Sequence, residues 1–264
     1  MRAGAKTKTE GSRPHPAERA RAFDLGVFER AAERLEQFDR ATLIAHPTLP
    51  HVPHLNTLAL RAPMDADEAE ALADEHQGDL SFRRLVVDDD ALAAGLVARG
   101  WSDDPLLLLG RDGALEPPAA DALAEEVPYG HVRGLRDEWL RSEPWAEREQ
   151  DLRDAHEADR RLFSATPTRA FAVFEQGRPL AYALLLDDGR DGMLEDVYTT
   201  PPARGRGLGT AVIVAVLHAA RAERLELVFV PTDADGRSRP LYERLGFEPL
   251  AVVHRLINPH PPQP

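Results

Sequence analysis

The sequence predicts an α/β protein, a central sheet flanked by helices, preceded by a second and smaller α/β unit. Three observations predict it. Apolar runs of strand length alternate with stretches whose apolar residues recur every three or four positions, the spacing of a helix face. The stretch Gly110–Pro118 holds two glycines and two prolines with few apolar residues, which marks a boundary between units. A glycine-rich turn, Arg204–Gly209, stands between a strand and a strongly apolar helix.

Taken in order, residues 1–17 read as a disordered tail. Glu18–Arg40 carries Phe23, Val27, Phe28, Ala31, Leu35 and Phe38 on one stripe and reads as one helix. A segment rich in proline and histidine, Ala45–His54, leads to a strand at Leu55–Leu60. A helix follows from Asp65 to about His76, with acids in its first turn to suit the dipole. Phe82–Val87 reads as a strand, Asp90–Arg99 as a helix and Pro105–Leu109 as a buried strand, closing an N-terminal unit over 18–115. The second unit, 120–258, opens with helices at Glu138–Trp145 and Glu147–Ser164. Strands at Arg169–Phe174 and Leu180–Leu186 are joined through Glu175-Gln176-Gly177-Arg178, a hairpin connection. Then come a strand at Met193–Thr199, the glycine turn, a helix at Thr210–Arg221, a strand at Leu225–Val230, a helix at Arg239–Leu245 and a strand at Leu250–Leu256. A proline-rich tail, 259–264, ends the chain. The order strand, helix, strand, short helix closes twice on glycine and an aromatic, at Gly100-Trp101 and Gly246-Phe247. In the first instance Arg61-Ala62-Pro63-Met64 stands where the second has its glycine turn. A duplicated fold that lost its loop, or common elements falling in the same order, would each give this pattern.

Composition narrows the function. A net charge of −13 argues against a general nucleic-acid binder, since phosphate neutralisation needs clustered lysine and arginine. It is compatible with a cationic or amine-bearing substrate. The chain has no cysteine, which removes disulfides, thiolate catalysis and sulfur-based zinc sites, and fits a cytoplasmic protein. No apolar run is long enough for a membrane helix, and the basic start lacks the apolar segment of a secretory signal. His46, His51 and His54 lie close together, but Pro47, Pro50 and Pro53 keep the segment extended and no carboxylate or thiolate completes a metal site. No metal is expected.

The turn Arg204-Gly205-Arg206-Gly207-Leu208-Gly209 is the sharpest local signal. Glycines let the backbone approach a ligand, and the helix behind them offers unsatisfied N–H groups and the positive end of its dipole. A P-loop would need a lysine before Thr210, and a dinucleotide fingerprint starting at Gly205 would need glycine at 210, although Asp233 lies downstream as its acid. The spacing Arg-x-x-Gly-x-Gly is met at Arg204, Gly207 and Gly209. With Leu241-Tyr242-Glu243-Arg244-Leu245-Gly246-Phe247 farther on, the segment from about Tyr129 to Leu256 resembles the GCN5-related N-acetyltransferase (GNAT) superfamily.

That resemblance implies a mixed, mostly antiparallel sheet and direct transfer of an acyl group from acetyl-CoA to a primary amine, without a metal. It implies a pyrophosphate on the amides of Arg206–Thr210, with Arg204, Gly205, Gly207, Leu208 and Gly209 in the same loop, and a pantetheine arm beside the strand that ends in Val197, Tyr198 and Thr199. Leu194-Glu195-Asp196 is similar to the polyamine-type members, whose glutamate position is the base. Side chains alternate along a strand, so without a bulge one of Glu195 and Asp196 can face the cleft; Glu195 is preferred and Asp196 is the alternate. Tyr242 matches the tyrosine whose hydroxyl reaches the departing sulfur. The expected partner is a small-molecule or peptide amine acceptor, with a homodimer also allowed. The rival reading is a non-enzymatic module that binds CoA as a regulatory ligand, which would need neither a base nor an acid.

Overall fold

The computed structural model describes residues 14–61, 63–119, 123–146, 148–234 and 236–259. Most of the expected tails lie outside them. The first helix, α1, covers Pro16–Ala31. His15 caps it, Pro16 occupies the first turn, and the Glu18 carboxylate accepts a hydrogen bond from the His15 backbone N–H. It does not run on to Arg40. Ala32 turns to an extended ψ of 135°, and Arg34–Gln37 forms β1, paired antiparallel with β2 (Ala41–Ala45). Leu35 and Phe38 had extended the helical stripe by coincidence of spacing. Leu35 is 42% exposed, and Phe38 stacks on His76 with ring centroids 4.0 Å apart.

After β3 (Thr57–Leu60) come α2 (Ala66–Gln77), β4 (Phe82–Val87), α3 (Asp90–Val97), β5 (Ser102–Asp103) and β6 (Leu106–Asp112). The second half adds β7 (Ala124–Val127), α4 (Arg133–Leu140) and α5 (Glu149–Ala165), then the hairpin of β8 (Thr168–Glu175) and β9 (Arg178–Asp187). Gln176 and Gly177 at its turn have φ of 51° and 76°, the left-handed pair that matches strand twist. The expected helix at Glu138–Trp145 is displaced: α4 has ended at Leu140, the chain turns through Pro144, and Trp145 is 52% exposed. The start expected for the next helix, Glu147, lies outside the described residues. β10 (Asp191–Thr199), α6 (Leu208–Ala222), β11 (Leu227–Asp233), α7 (Arg239–Arg244) and β12 (Glu248–Pro259) complete the chain.

Among the described residues these strands form one sheet in the order β1-β2-β3-β4-β12-β6-β11-β10-β9-β8-β7, with β5 beside β12. It is mixed and mostly antiparallel; β3 with β4 and β10 with β11 are the parallel pairs. The boundary expected at Gly110–Pro118 therefore does not separate two sheets. β6 runs on through Gly110 to Asp112 and lies between β11 and β12, while β12, from the far end of the chain, pairs with β4 of the first half. Each half lends a strand to the other. Helices α6 and α7 pack one face of the second half's sheet around Leu194, Val212, Ile213, Val228 and Phe247. Helices α1, α4 and α5 cover the other around Phe23, Leu108, Leu184, Met193 and Phe229. The region between α1 and β10 is where the two halves meet.

The lent strand can be tested where it is most crowded. A Cβ at Gly110 would run into the side chain of Leu250 on β12 and come within 3.3 Å of Leu227 on β11. Gly110→Val should lower the unfolding free energy by about 1–3 kcal/mol, the usual cost of overpacking a core. Chemical denaturation checks this; unchanged stability would mean β6 is not gripped from both sides.

Candidate active site

β10 and β11 are hydrogen-bonded as parallel neighbours over Asp191–Met193 and Leu227–Phe229, and part beyond that point. The remainder of β10 stays with β9, and β11 stays with β6. A wedge opens between two strands whose backbone groups are then free on the inner side. The mouth of α6 lies past the end of β10, so one strand delivers both the wedge and the helix terminus.

The same strand carries a bulge. Glu195 pairs with Leu184 and Tyr198 with Tyr182, so Asp196 and Val197 together face Ala183. Asp196 takes φ of 52° to make it. The extra residue changes the alternation that the sequence argument relied on. Glu195 shares the face of Met193 and Leu184, Asp196 turns to the same side, and Val197 goes to the α6 side. Both carboxylates thus enter one cleft. They differ in what holds them. Asp196 accepts a hydrogen bond from Arg136 at 2.8 Å, and Arg136 also grips Asp159 of α5 at 2.8 Å while stacking on Trp139. Glu195 is half-buried and makes no hydrogen bond or ion pair among the described residues. Burial first, then the neighbouring Asp196 charge, pushes its carboxyl well above the ordinary range. Burial opposes the charge on Arg136, but Asp196 and Asp159 outweigh it and hold the guanidinium ionised.

The glycine turn follows a single turn of 3-10 helix at Pro201–Ala203. Gly205 and Gly207 have φ of 75° and 79°, a region that side chains disfavour, and each faces open space. Gly207 is the N-cap of α6 and has no side chain with which to fill it. None of the N–H groups of Gly205 to Thr210 donates a hydrogen bond among the described residues. This is a cradle of unmet donors at the positive end of a helix, and an anion such as a pyrophosphate fits its chemistry. Gly209 packs near Thr199 and Leu241, which ties the cradle to the end of β10 and to α7. Arg204 donates to the Thr199 carbonyl at 3.1 Å and lies over the Tyr198 ring, whose hydroxyl donates to Glu138. Arg206 pairs with Glu175 at 2.6 Å on the surface, so its charge is partly answered from within the chain.

Tyr242 on α7 is buried, with its ring edge-on to Phe247 at 5.9 Å. Burial, followed by the Glu195 charge, raises its hydroxyl above the usual range, which keeps it protonated and puts it within electrostatic reach of that carboxylate. Glu195 and Tyr242 are therefore brought together from opposite faces of the sheet, across the wedge. Arg136, Asp159, Tyr182, Asp24, Arg84 and Arg255 also reach this region and escaped the sequence reading, while His54, which that reading weighed only as a metal ligand, stands among the arginines. They come from separate elements scattered along the chain, with no spacing that announces them. The three histidines weighed as metal ligands have separate partners: His46 contacts Arg161, His51 pairs with Asp154, and His54 meets the edge of Phe28. No cluster of three metal-ligating side chains occurs among the described residues, and no described helix is long and apolar enough to cross a membrane.

The fold is that of an α/β protein whose sheet parts beside an uncapped helix start. Residues 132–247 match the model of the Acetyltransferase (GNAT) family. The glucosamine 6-phosphate N-acetyltransferase of Trypanosoma brucei brucei is 34% identical over 100 residues, which span 35% of this chain and 67% of that protein. The chain belongs to the GNAT acetyltransferase family and is an N-acetyltransferase; such enzymes use acetyl-CoA. Among solved structures it is similar to a GCN5-related N-acetyltransferase from Kribbella flavida (TM-score 0.66, 19% identity, 95% of this chain and 98% of that one). It is also similar to a conserved protein of unknown function from Staphylococcus epidermidis (TM-score 0.67, 10% identity, 86% and 94%). A tandem GNAT protein from the clavulanic acid biosynthesis pathway aligns at TM-score 0.55 and 18% identity over 85% of this chain and 80% of its own. At these identities the likeness is one of fold.

Gly207→Glu should raise the dissociation constant for acetyl-CoA by about 100-fold or more, since it sets a carboxylate among donors meant for an anion. Gly207→Ala, which carries the left-handed strain of about 1–2 kcal/mol without the charge, should lose much less. Calorimetry on both variants checks it; equal affinities in Gly207→Glu and wild type would remove the turn from the site.

Proposed function

We propose that this N-acetyltransferase passes an acetyl group from acetyl-CoA directly to a primary amine, with Glu195 as proton acceptor and Tyr242 as proton donor. The observation that carries the reading is Glu195, a half-buried carboxylate without a partner among the described residues, at the point where β10 leaves β11. Acetyl-CoA supplies the activated acyl thioester. The N–H groups of Gly205 to Thr210 hold its pyrophosphate, Arg204 and Arg206 add charge beside them, and the backbone of Val197, Tyr198 and Thr199 runs along the pantetheine arm. Glu195 draws a proton from the incoming ammonium, so that the amine attacks with a free lone pair. Burial pushes the Asp196 carboxyl up to about 6 and Arg136 opposes that shift; in its charged form Asp196 raises the proton affinity of Glu195. The Tyr242 hydroxyl, which makes no hydrogen bond within the chain's described residues, gives its proton to the departing sulfur. The Trypanosoma relative is named for glucosamine 6-phosphate, which makes amino sugars and their phosphates the first acceptors to try.

The N-terminal half supports a second reading of its own, as a copy of the same fold without a cofactor loop. β2 and β3 are antiparallel, β3 and β4 are parallel across α2, and α3 ends on Gly100 at φ 92° before the buried Trp101. β9 and β10, β11 across α6, and α7 ending on Gly246 at φ 85° before Phe247 repeat that order. The helix starts differ. Asp65 caps α2 through its own carboxylate, filling the donors that α6 leaves open.

Glu195→Gln should lower turnover by about 100-fold or more while acetyl-CoA affinity stays near that of the wild type, and Tyr242→Phe should lower it by about 10-fold or more. Steady-state kinetics on a confirmed acceptor, with chemistry limiting, checks both. A larger loss in Asp196→Asn than in Glu195→Gln would reverse the assignment of the base.

A further inference from the structure

On the face of the sheet that α1 covers, two arginines stand side by side. In the antiparallel ladder of β4 and β12, Arg84 lies opposite Ile257 and Arg255 opposite Val86. The two arginines are therefore diagonal neighbours on one face, while Leu85 and Leu256 point to the other with α2 and α3. Arg255 is anchored at its outer side by Asp104, through the backbone carbonyl at 3.0 Å and the carboxylate. The Arg84 guanidinium has no hydrogen bond or ion pair among the described residues, and its Nε is a buried donor without a partner. An arginine left this way beside a second arginine is costly, and a ligand oxyanion is what relieves it. Both side chains are half-buried, as lining residues of a cleft are.

The pair stands within electrostatic reach of Glu195. Arg255 acts electrostatically on Glu195 and, like Arg84, on Asp24 of α1; Asp24 in turn acts on Glu195. His54 stands among Arg84, Arg136 and Arg255; burial first and then those cations hold it neutral, at about 3. Burial and the Arg255 charge together depress Arg84 to about 10. The charges are thus sorted: carboxylates toward β10, and toward β4 a guanidinium that feels Asp24 and Asp104 but makes no hydrogen bond or ion pair among the described residues. Arg84 and Arg255 both lie outside residues 132–247, so the matched family segment does not contain them.

We propose that Arg84 and Arg255 seat an anionic group, a carboxylate or a phosphate, carried by the amine acceptor, whose amine then points toward Glu195. This rests on the acetyl-transfer reading for the amine end. It also draws the N-terminal half into substrate choice, because β4 forms the wall that selects a zwitterionic acceptor over a plain amine. The fork of Arg84 binds the oxyanion, and Arg255, held by Asp104, supplies the second charge.

The test uses the full chain with two acceptor pairs, glucosamine 6-phosphate against glucosamine and β-alanine against propylamine. In the wild type the anionic member of one pair should be preferred by about 10- to 100-fold in kcat/KM, mostly through KM, as a charge-assisted contact predicts. The pair that shows it separates phosphate from carboxylate. Arg84→Gln should bring that ratio close to one, and Arg84→Lys should leave it in between. A second measurement does not depend on turnover. With the turn at α6 filled by saturating CoA, inorganic phosphate or acetate should raise the thermal midpoint of the wild type and not of Arg84→Gln. Wild type that prefers the neutral amine in both pairs, a preference that survives in Arg84→Gln, or the absence of any anion effect on the wild-type midpoint overturns the proposal. Failure of CoA itself to bind would strike the acetyl-CoA reading instead, and the anion measurement would then be made without it.

Discussion

The parting of β10 from β11 is the constraint on which the site depends. Past Met193 and Phe229 the two strands stop sharing hydrogen bonds, because β10 follows β9 while β11 is drawn to β6. Parallel strands in the middle of a sheet normally have no free inner edge, so a gap there must be held open from both sides. One side is held by the long β8–β9–β10 meander with α6 packed over it. The other is held by β6, a strand lent by the first half of the chain and locked between β11 and β12. The same loan that joins the halves keeps the wedge open.

Within the wedge, charge is distributed by pairing. Several ionisable groups gather at the junction of α1, α4, α5 and the sheet, and leaving them all unpaired would cost more than a domain's stability allows. Arg136 resolves most of it by bridging Asp159 and Asp196. Glu195, Asp24 and Arg84 are left without a hydrogen bond or ion pair among the described residues, and Asp24 acts electrostatically on both of the others. An enzyme tolerates such unmet groups where a ligand completes them, and removing the bridging arginine would shift the burden onto two buried acids at once.

Much of this was legible in the sequence. The turn from Arg204 to Gly209 announced itself because a glycine run before an apolar helix has few other uses, and its open donors and two positive φ values follow from the same residues. Glu195 and Tyr242 were singled out by a motif and its spacing, and the fold sets them within electrostatic reach of each other. The bulge was not legible: nothing in Leu194-Glu195-Asp196 forces a left-handed aspartate, and the Arg136 that meets its side chain lies far away in the chain. Tertiary pairing likewise overrode local pattern at Leu35 and Phe38, where an apparent helix gave way to a hairpin. The boundary at Gly110–Pro118 was read from composition, which cannot report that the strand before it is used by the other half. Arg84 and Arg255 are ordinary alternations in two strands and acquire meaning through the ladder that sets them diagonally.

The central claim is that Glu195 works because burial and the Asp196 charge hold its proton affinity above that of an ordinary carboxyl. A group raised in this way is ineffective as a base at low pH and becomes competent as pH climbs through its elevated pKa. The direct measurement is the pH dependence of kcat/KM for wild type and Glu195→Gln with one acceptor. Wild type should show an acidic limb above the ordinary carboxylate range, superimposed on the ionisation of the acceptor amine. That limb should vanish in Glu195→Gln while the ionisation of the amine remains. An identical profile in both proteins, differing at most in height, would contradict it.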